Sequence, residues 1–528
     1  MKLAAVIYAG SLSPHALVPI GAGGSAYERC LEYVRRLPGL GRAVVAEGSL
    51  RLPEGAFPKR HRESWTFDQI LEEMADIGQG ADAVLLAWAD EPFLDPLLAA
   101  KMLEDFRRYR AEYGFADGYP GGLAAEILAP RLIPAVRGLA GALPPEPTRT
   151  SLFTAIQRDI NAFDIETNIS PVDLRDLRLS LACDTKRNSL LVERLESAGV
   201  SDASSALRLI PENLGLLRTL PAFIQIQVAA GCPQVCRLCP YPLFGPTGGS
   251  SAPESPASGS GILGLRRDMP RAKFASLLDQ VVELCEDAVI DISLWGESSM
   301  HSDIGGMIGE VMSRPSLSLI IETSGLGWTE AFEEKVANRI ASSGGADRVD
   351  WVLSLDAASP ELYAELRGEG FAEATAFAER LIGLFPGRAH VQMVRARENE
   401  AELETFWRGW KKKTEKVIVQ KYSRFAGLLP ERKVSDLSPL SRRPCWHLKR
   451  DLSILIDGTI PLCRDFSYGD IILGNAFEAR EGRPAGLAAA WAAGESYHVA
   501  HIEACRSGEA SRFPSPCEAC DEYYTYNA

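Results

Sequence analysis

Short apolar segments alternate with amphipathic segments along most of the chain, a pattern typical of parallel strands connected by helices. The first 205 residues contain three apolar runs, at Leu3–Ala9, 43–46 and 83–89, each followed by a segment with helical periodicity. A second series contains six apolar runs, at 223–228, 289–294, 317–321, 351–355, 390–394 and 416–421. Six strand–helix units in succession predict an incomplete barrel, in which functional groups lie in loops at the carboxyl ends of the strands.

We therefore predict an α/β protein with three domains in the 528 residues. An α/β domain over 1–205 is joined by a linker, 206–220, to a partial (β/α)6 barrel of the TIM type over 221–435. The last segment, 436–528, is short and turn-rich, and a segment of this size builds a good core only with a metal. Residues 245–264 are rich in Gly, Ser and Pro and predict a flexible insertion, either a solvated loop or a mobile lid.

Composition narrows the classes of partner. Lys and Arg number 56 against 70 Asp and Glu, a formal charge of −14 at pH 7, which argues against a nucleic-acid partner because such proteins need a basic face. No apolar run of the sequence reaches the roughly 18 residues of a membrane-spanning helix, so no membrane partner is expected. Most of the eleven cysteines lie in two clusters, which in a chain of this length indicates metal ligands rather than disulfides, and therefore a reducing, cytoplasmic location.

The first cluster has the spacing Cys-x3-Cys-x2-Cys and consists of Cys232, Cys236 and Cys239, directly after the first strand of the barrel series. Three thiolates this close suit three corners of a cubic iron–sulfur cluster and leave the fourth iron open to an outside ligand. A structural zinc ion, the alternative, needs a fourth protein ligand nearby. The spacing resembles the signature of the radical S-adenosylmethionine enzymes. This resemblance implies a [4Fe-4S] cluster that binds S-adenosylmethionine and cleaves it reductively to a 5′-deoxyadenosyl radical, which abstracts hydrogen from a substrate.

Later strand ends carry segments similar to other motifs of that family. Gly296 and Glu297 follow the second strand and resemble a Gly-Gly-Glu segment, which implies that Glu297 holds the amino group of S-adenosylmethionine. Thr323-Ser324 follows the third strand, where hydroxyls are placed for the ribose. Ser354 and Arg367 belong to a stretch similar to Ser-Leu-Asp-Gly…Arg-Gly, which implies two further cofactor contacts. Each segment taken alone is also compatible with a turn or a helix cap.

The second cluster has the order Cys445, twelve residues, Gly458, four residues and Cys463, followed near the end by Cys517-x2-Cys520. It resembles the SPASM/twitch extension of radical enzymes that act on peptides and proteins. The resemblance implies one auxiliary [4Fe-4S] cluster, with Cys445, Cys463, Cys517 and Cys520 as its ligands. A zinc ribbon made from the same four thiolates is the alternative.

Two other residues near this cluster have predicted roles. Cys505 is the remaining cysteine of the segment and is an alternative ligand. Asp465 lies two residues after Cys463, close to where sulfatase-maturing relatives place a proton-accepting Asp. A carboxylate there accepts the proton released when a substrate radical is oxidised, so Asp465 is the predicted catalytic residue. A turn-capping role for Asp465 is the alternative.

The N-terminal domain resembles the sugar cytidylyltransferases in four segments, 5–10, 87–95, 118–126 and 177–188. The resemblance implies a Rossmann-like nucleotidyltransferase fold in which Asp90 binds the metal that carries the nucleotide phosphates. The first loop, Ser-Leu-Ser-Pro-His at 11–15, lacks the Arg and Lys residues that neutralise a triphosphate in that family. Two interpretations stay open, a degenerate domain that binds a nucleotide or the substrate, and a working transferase.

These motifs together predict a radical S-adenosylmethionine oxidoreductase or maturase. Because the radical-enzyme segments are fused to a domain that resembles cytidylyltransferases, a peptide, a protein and a sugar-type compound all stay open as the substrate. We expect an electron donor such as flavodoxin or ferredoxin. The alternative function is a CTP-dependent sugar nucleotidyltransferase whose cysteines bind structural metal, and a zinc-stabilised binding protein is a third interpretation.

Overall fold

The computed structural model of the chain describes residues 1–141, 143–243, 267–435, 441–467, 471–478 and 486–522. It divides into two compact units, Met1–Thr219 (unit 1) and Leu220–Ala528 (unit 2). Both units contain parallel strands connected by helices, which confirms the predicted α/β class. The predicted insertion at 245–264 lies outside the described residues.

Unit 1 is built on a seven-stranded sheet. Its strands are β1 (Leu3–Ala9), β2 (Leu40–Glu47), β3 (Lys59–His61), β4 (Ala83–Trp88), β5 (Tyr113–Asp117), β6 (Glu126–Leu128) and β7 (Ile165–Ile169). They lie in the order β3-β2-β1-β4-β6-β5-β7. The wholly buried β1 pairs in parallel with β2 and β4, whereas β6 runs antiparallel to both of its neighbours.

The helices of unit 1 are α1 (Ala26–Arg35), α2 (Phe67–Ile77), α3 (Pro96–Arg108), α4 (Ile133–Ala140), α5 (Ser151–Gln157), α6 (Lys186–Ser197) and α7 (Ala203–Glu212). Capping residues start several of them. Before α2, Thr66 and Gln69 each bond the other's backbone amide, which satisfies two amides that the helix itself leaves free. The last turns of α7 and a short 3-10 turn, Leu214–Leu217, lie within the predicted linker.

Unit 2 contains a second seven-stranded sheet and two short strand pairs. Its strands are β8 (Phe223–Ile226), β9 (Ala229–Ala230), β10 (Arg267–Asp268), β11 (Ala288–Asp291), β12 (Leu317–Thr323), β13 (Val349–Ser354), β14 (Ala389–Arg395), β15 (Val417–Lys421), β16 (Asp451–Ile454), β17 (Thr459–Pro461) and β18 (Ile472–Asn475). The six strands of the barrel series lie side by side in chain order, all parallel, as β15-β14-β13-β12-β11-β8. β16 adds a further parallel strand beside β8, with Asp451 opposite Phe223.

The helices of unit 2 are α8 (Arg271–Cys285), α9 (Ile304–Met312), α10 (Glu330–Ser342), α11 (Pro360–Leu366), α12 (Phe371–Leu384), α13 (Leu403–Lys411), α14 (Trp446–Arg450), α15 (Leu487–Ala493), α16 (Glu495–Ser507) and α17 (Ser515–Glu518). One hydrophobic core joins the barrel series to the C-terminal segment, since Ile224 and Trp351 belong to the same cluster as Leu452 and Trp491. Within the described ranges, no helix combines the length and apolar character that crossing a bilayer requires.

Candidate functional site

The carboxyl ends of the unit 2 strands surround a cavity of about 200 Å³. All the residues predicted for the first cluster and its cofactor line this cavity: Cys232, Cys236, Cys239, Gly296, Glu297, Thr323, Ser324, Ser354 and Arg367. They come from separate loops, and the parallel strands bring those loops to one edge of the sheet. We call this space the cysteine-loop cavity.

The cysteine loop is bonded to the segment that carries Arg367. Gln234, inside the loop, accepts a hydrogen bond from Arg367 Nη2 at 3.0 Å and donates one to the Tyr363 hydroxyl at 2.8 Å. Burial raises the pKa of the Cys239 thiol to about 12. Burial also raises the pKa of Cys236, although the positive charge of Arg367 opposes that shift. Thiols lose their protons when they bind iron, so Arg367 favours the ligand form of Cys236.

Glu297 is held in one orientation by three hydrogen bonds. Its Oε1 accepts from the Thr323 hydroxyl at 2.5 Å and from the Ser299 amide at 3.5 Å, and its Oε2 accepts from the Ser324 amide at 2.8 Å. A carboxylate has about four acceptor sites, so Glu297 can still bind an ammonium group. The preceding Gly296 has a φ of +89°, and a Cβ at that position would lie 2.3 Å from the Ala229 carbonyl oxygen. Only glycine fits there, which gives the predicted Gly-Glu pair a physical basis.

Arg367 forms a buried ion pair with Asp356, with 2.5 Å between Nη1 and Oδ2. Asp356 itself has a φ of 62°, in the left-handed region that non-glycine residues rarely adopt. Its other oxygen, Oδ1, accepts from the Val394 amide at 2.8 Å and so ties the pair to β14. Strained backbone of this kind occurs preferentially at functional sites, where the surrounding bonds hold it. Asp356, which has no predicted role, therefore positions Arg367.

The floor of the cavity contains polar residues that the sequence analysis did not single out. Gln225 in β8, Asp291 at the end of β11 and Glu322 near the end of β12 all line it. Burial, with a further contribution from the negative charge of Glu322, raises the pKa of Asp291 to about 6. The sequence contained a signal for these three residues, because each is a polar side chain near the end of a largely apolar strand. No comparable signal marks Arg464, which enters the cavity from the C-terminal segment.

A second, smaller cavity gathers the four cysteines predicted for the auxiliary cluster, Cys445, Cys463, Cys517 and Cys520. His447 and His501 line the same cavity. Burial raises the pKa of Cys517 to about 11, and the charge of Arg442 opposes the shift. Cys505 does not line this cavity, and its Sγ lies 3.5 Å from His501 Nδ1. We call this space the four-cysteine cavity.

Asp465 lines the four-cysteine cavity, whereas its neighbour Arg464 lines the cysteine-loop cavity. The two side chains form an ion pair, with 3.2 Å between Arg464 Nε and Asp465 Oδ1. Asp465 is buried, and burial raises the pKa of its carboxyl group while the charge of Arg464 opposes the shift. The predicted catalytic residue thus lies among the auxiliary cysteines and is not brought together with the residues predicted for S-adenosylmethionine.

In unit 1, Asp90 lies directly after β4, and its carboxylate pairs with an arginine. Arg149 Nη2 lies 2.6 Å from Asp90 Oδ2, and Arg149 Nη1 lies 2.7 Å from Glu91 Oε1. The guanidinium also packs over the Trp88 ring, 4.9 Å from its centroid, and lies 3.5 Å from Asp184 Oδ2. The cation that both carboxylates contact is a side chain of the protein, whereas the other Asp90 oxygen, Oδ1, is buried without a hydrogen-bond partner among the described residues, so the metal predicted at Asp90 stays a prediction.

Comparison with known proteins identifies one relative over most of the sequence. An uncharacterised protein of Treponema pallidum (strain Nichols) is 35% identical over 386 residues, which cover 71% of this chain and 98% of that protein. The chain belongs to the same family as this treponemal protein. A second Treponema pallidum protein is 44% identical over 66 residues, 12% of this chain and 30% of its own length. No protein-family model matches the sequence.

Three solved structures are similar to parts of this chain. A cytidylyltransferase from Leptospira borgpetersenii aligns with a TM-score of 0.35 and 14% identity, covering 41% of this chain and 97% of its own. BtrN in complex with AdoMet and 2-DOIA aligns with a TM-score of 0.35 and 16% identity, and the alignment covers 57% of this chain and 94% of BtrN. Streptococcus suis SuiB bound to the precursor peptide SuiA aligns with a TM-score of 0.38 and 14% identity, and the alignment covers 65% of this chain and 77% of SuiB. All three TM-scores are low.

The donor chemistry of both unit 2 cavities fits iron–sulfur clusters. Thiolate is the usual protein ligand of such clusters, and the cavities offer three and four cysteines respectively. Among the described residues, no three His, Cys, Asp or Glu side chains are grouped closely enough to hold a single metal ion. The ligands of a cubic cluster each bind a different iron and so stand further apart than those of one ion.

Proposed function

We propose that the protein is a radical S-adenosylmethionine enzyme that abstracts hydrogen from a peptide, protein or sugar-type substrate. One observation carries this proposal. The three cysteines of the Cys-x3-Cys-x2-Cys loop line the same cavity as Glu297, Ser354 and Arg367, side chains of three other segments that resemble the cofactor motifs of such enzymes. Cys232, Cys236 and Cys239 would hold a [4Fe-4S] cluster.

When bound, that cluster would supply the electron that cleaves S-adenosylmethionine to a 5′-deoxyadenosyl radical. The residues of the chain bind and orient S-adenosylmethionine. Glu297 presents a fixed carboxylate to the amino group of the cofactor, and the Thr323 hydroxyl orients that carboxylate. Ser324 offers its hydroxyl to the ribose, and Ser354 makes a further contact with the cofactor. Arg367, neutralised by Asp356, contacts the cofactor without adding net charge to the buried cavity.

In the four-cysteine cavity, we propose that Cys445, Cys463, Cys517 and Cys520 hold one auxiliary [4Fe-4S] cluster. The convergence of all four thiols on one buried space supports this assignment. Asp465 in the same cavity remains the proposed proton acceptor, and its ion pair with Arg464 gives it a contact on the side of the substrate cavity. We also propose that flavodoxin or ferredoxin donates the electrons and that the enzyme acts in the cytoplasm.

Nucleotidyl transfer gains no comparable support from unit 1. That reaction needs a divalent cation at Asp90 to neutralise the nucleotide phosphates, and the carboxylate already pairs with Arg149. We therefore propose that unit 1 is a degenerate cytidylyltransferase-like domain.

Anaerobic reconstitution with iron and sulfide tests the proposal. We expect about eight irons per chain, four for each cubic cluster. With dithionite as reductant, the protein should convert S-adenosylmethionine to 5′-deoxyadenosine, and Cys236→Ala should abolish this product. Cys183→Ala, which changes a buried cysteine of unit 1, is the matched control and should retain it. Zinc without iron, or 5′-deoxyadenosine formation that survives Cys236→Ala, would contradict the proposal.

Replacing dithionite with reduced flavodoxin or ferredoxin tests the electron donor. Product formation with either protein supports the assignment, and its absence with both contradicts it.

A further inference from the structure

Two carboxylates on the floor of the cysteine-loop cavity have only neutral hydrogen-bond partners. Asp291 Oδ1 accepts from the Ser293 amide at 2.9 Å, and its Oδ2 accepts from Gln225 Nε2 at 3.2 Å. Glu322 Oε1 accepts from the Ser354 hydroxyl at 3.0 Å and from Gln392 Nε2 at 3.0 Å. These bonds orient both carboxylates but add no positive charge.

The cationic side chains of the same cavity are engaged elsewhere. Arg367 pairs with Asp356. Lys421 pairs with Glu522, with 2.8 Å between Nζ and Oε1. Arg464 pairs with Asp465, and although its charge also acts on Glu322, no ion pair forms between those two in the described part of the chain.

The floor therefore carries negative charge that the described residues leave without an ion pair. Asp291 is only 6% exposed, and burying a carboxylate without a counter-charge is costly. Burial and the nearby Glu322 shift the pKa of Asp291 upwards, to about 6, as expected for two like charges in a low-dielectric space. A bound cation would relieve both effects. Glu297 is not available for this purpose, because the proposed function assigns it to the amino group of the cofactor.

We propose that the substrate carries a primary ammonium group, and that Asp291 and Glu322 bind it. This inference rests on the proposed function, because it takes the cysteine-loop cavity as the place where substrate meets cofactor. Gln225 and Ser293 line the same cavity and add neutral donors and acceptors, which suit hydroxyl or amide groups next to the amine. An amino sugar and a lysine side chain share this chemistry, and experiment distinguishes them.

Binding to the reconstituted protein with S-adenosylmethionine present tests the proposal without turnover. The probes are glucosamine and Nα-acetyl-lysinamide, each compared with a neutral counterpart, glucose and Nα-acetyl-norleucinamide, by calorimetry at millimolar concentrations. We expect at least one amine to bind about tenfold or more tightly than its counterpart, the size of effect that a charge-assisted hydrogen bond produces. The amine that binds more tightly shows whether the ammonium group belongs to an amino sugar or to a lysine side chain. Equal binding within both pairs, or binding of neither amine, overturns the proposal.

Two variants test whether Asp291 and Glu322 cause the preference for amines. Asp291→Asn and Glu322→Gln keep the shape of the side chains and should each reduce the amine preference about tenfold, whereas Glu404→Gln on the exposed face of α13 should leave it unchanged. An amine preference that persists in both floor variants overturns the assignment, and the comparison on the unmodified chain stands even where a variant fails to fold. Failure of this inference is distinct from failure of the proposed function, because 5′-deoxyadenosine formation without substrate reports on the function alone.

Discussion

In unit 1, Arg149 pairs with both Asp90 and Glu91, whereas in unit 2, Asp291 and Glu322 line a cavity without an ion pair in the described residues. The sequence signal is alike in both cases, an acidic residue at or just after the end of a buried strand. The difference is whether the fold delivers a cation from elsewhere. In unit 1 it does, from a residue 59 positions later in the chain, and the acidic pair becomes part of the structure.

An acidic residue at a strand end indicates a ligand site only where its charge is left uncompensated. Asp90, Glu91 and Asp291 are buried and therefore costly to ionise alone, whereas Glu322 is partly buried. Unit 1 offsets the cost internally, so removing Arg149 should damage the fold. Unit 2 leaves room for charge from outside, so changes there should alter what binds.

The largest expected effect concerns the four-cysteine cavity, where unit 2 should take metal that unit 1 does not. Cys463→Ala removes one of the four converging thiols and should lower the iron content from about eight to about four per chain. Cys505→Ala is the matched control, because Cys505 lies outside that cavity, and it should leave iron unchanged. Iron analysis after anaerobic reconstitution measures both. Equal iron loss in the two variants would mean that Cys505 is a ligand after all.

Arg149→Ala tests whether the unit 1 cation is structural. It leaves Asp90 and Glu91 buried without a partner, and we expect a loss of about 3–5 kcal/mol in the stability of unit 1. Arg175→Ala removes an exposed pair with Asp117 and Asp173 and should cost about 1 kcal/mol or less. Hydrogen–deuterium exchange of peptides from β1 and β4 in the full chain reports on unit 1. Similar exchange in both variants would refute a structural role for Arg149.

Gly296→Ala tests whether the backbone before Glu297 is as constrained as the structure indicates. The added Cβ would meet the Ala229 carbonyl at 2.3 Å in a backbone with φ +89°, and we expect a loss of about 2–3 kcal/mol together with weaker S-adenosylmethionine binding. Gly383→Ala, in the exposed part of α12 with nothing within 4 Å, should instead stabilise by up to about 1 kcal/mol. Denaturant unfolding and calorimetry compare them. Equal behaviour of the two alanines would contradict the constraint.

The last expected effect, spread over several pH units, is a pH dependence in unit 1. Burial raises the pKa of Glu126 to about 7, even though the Tyr113 hydroxyl donates a hydrogen bond to it. A carboxyl whose pKa is raised on folding stabilises the fold below its unfolded pKa and loses that contribution as pH rises through the folded value. The stability of unit 1 should therefore fall by about 3 kcal/mol between about pH 4.5 and 8. Hydrogen exchange across this range measures it, and Glu126→Gln should flatten the profile. An equally steep profile in that variant would assign the dependence to another group.

Much of the fold follows from local pattern. The predicted strand Leu3–Ala9 has those bounds in the structure, and the apolar run predicted at 317–321 begins β12 at Leu317. The six parallel strands of unit 2 are visible in the sequence because most of their residues are apolar, although burial alternates along β12 and no residue of β15 is fully buried. β16 was missed because its four residues, Asp451–Ile454, gain their strand character only from pairing with β8.

Features that depend on short spacing can be read directly from the order of residues. Three cysteines within eight residues can reach one cluster whatever surrounds them, and Gly296 before Glu297 marks a tight turn of the backbone. These features are local, so the order of residues is enough.

Which buried charges form ion pairs depends instead on the folded arrangement of distant segments. Arg149 reaches Asp90, Arg464 turns towards one cavity while Asp465 turns towards the other, and Asp291 faces inward beside Gln225. Each of these facts depends on which strands neighbour each other and in what register, and long-range pairing leaves no mark in the adjacent sequence. The fold alone therefore separates the carboxylates that hold the protein together from those that remain for a ligand.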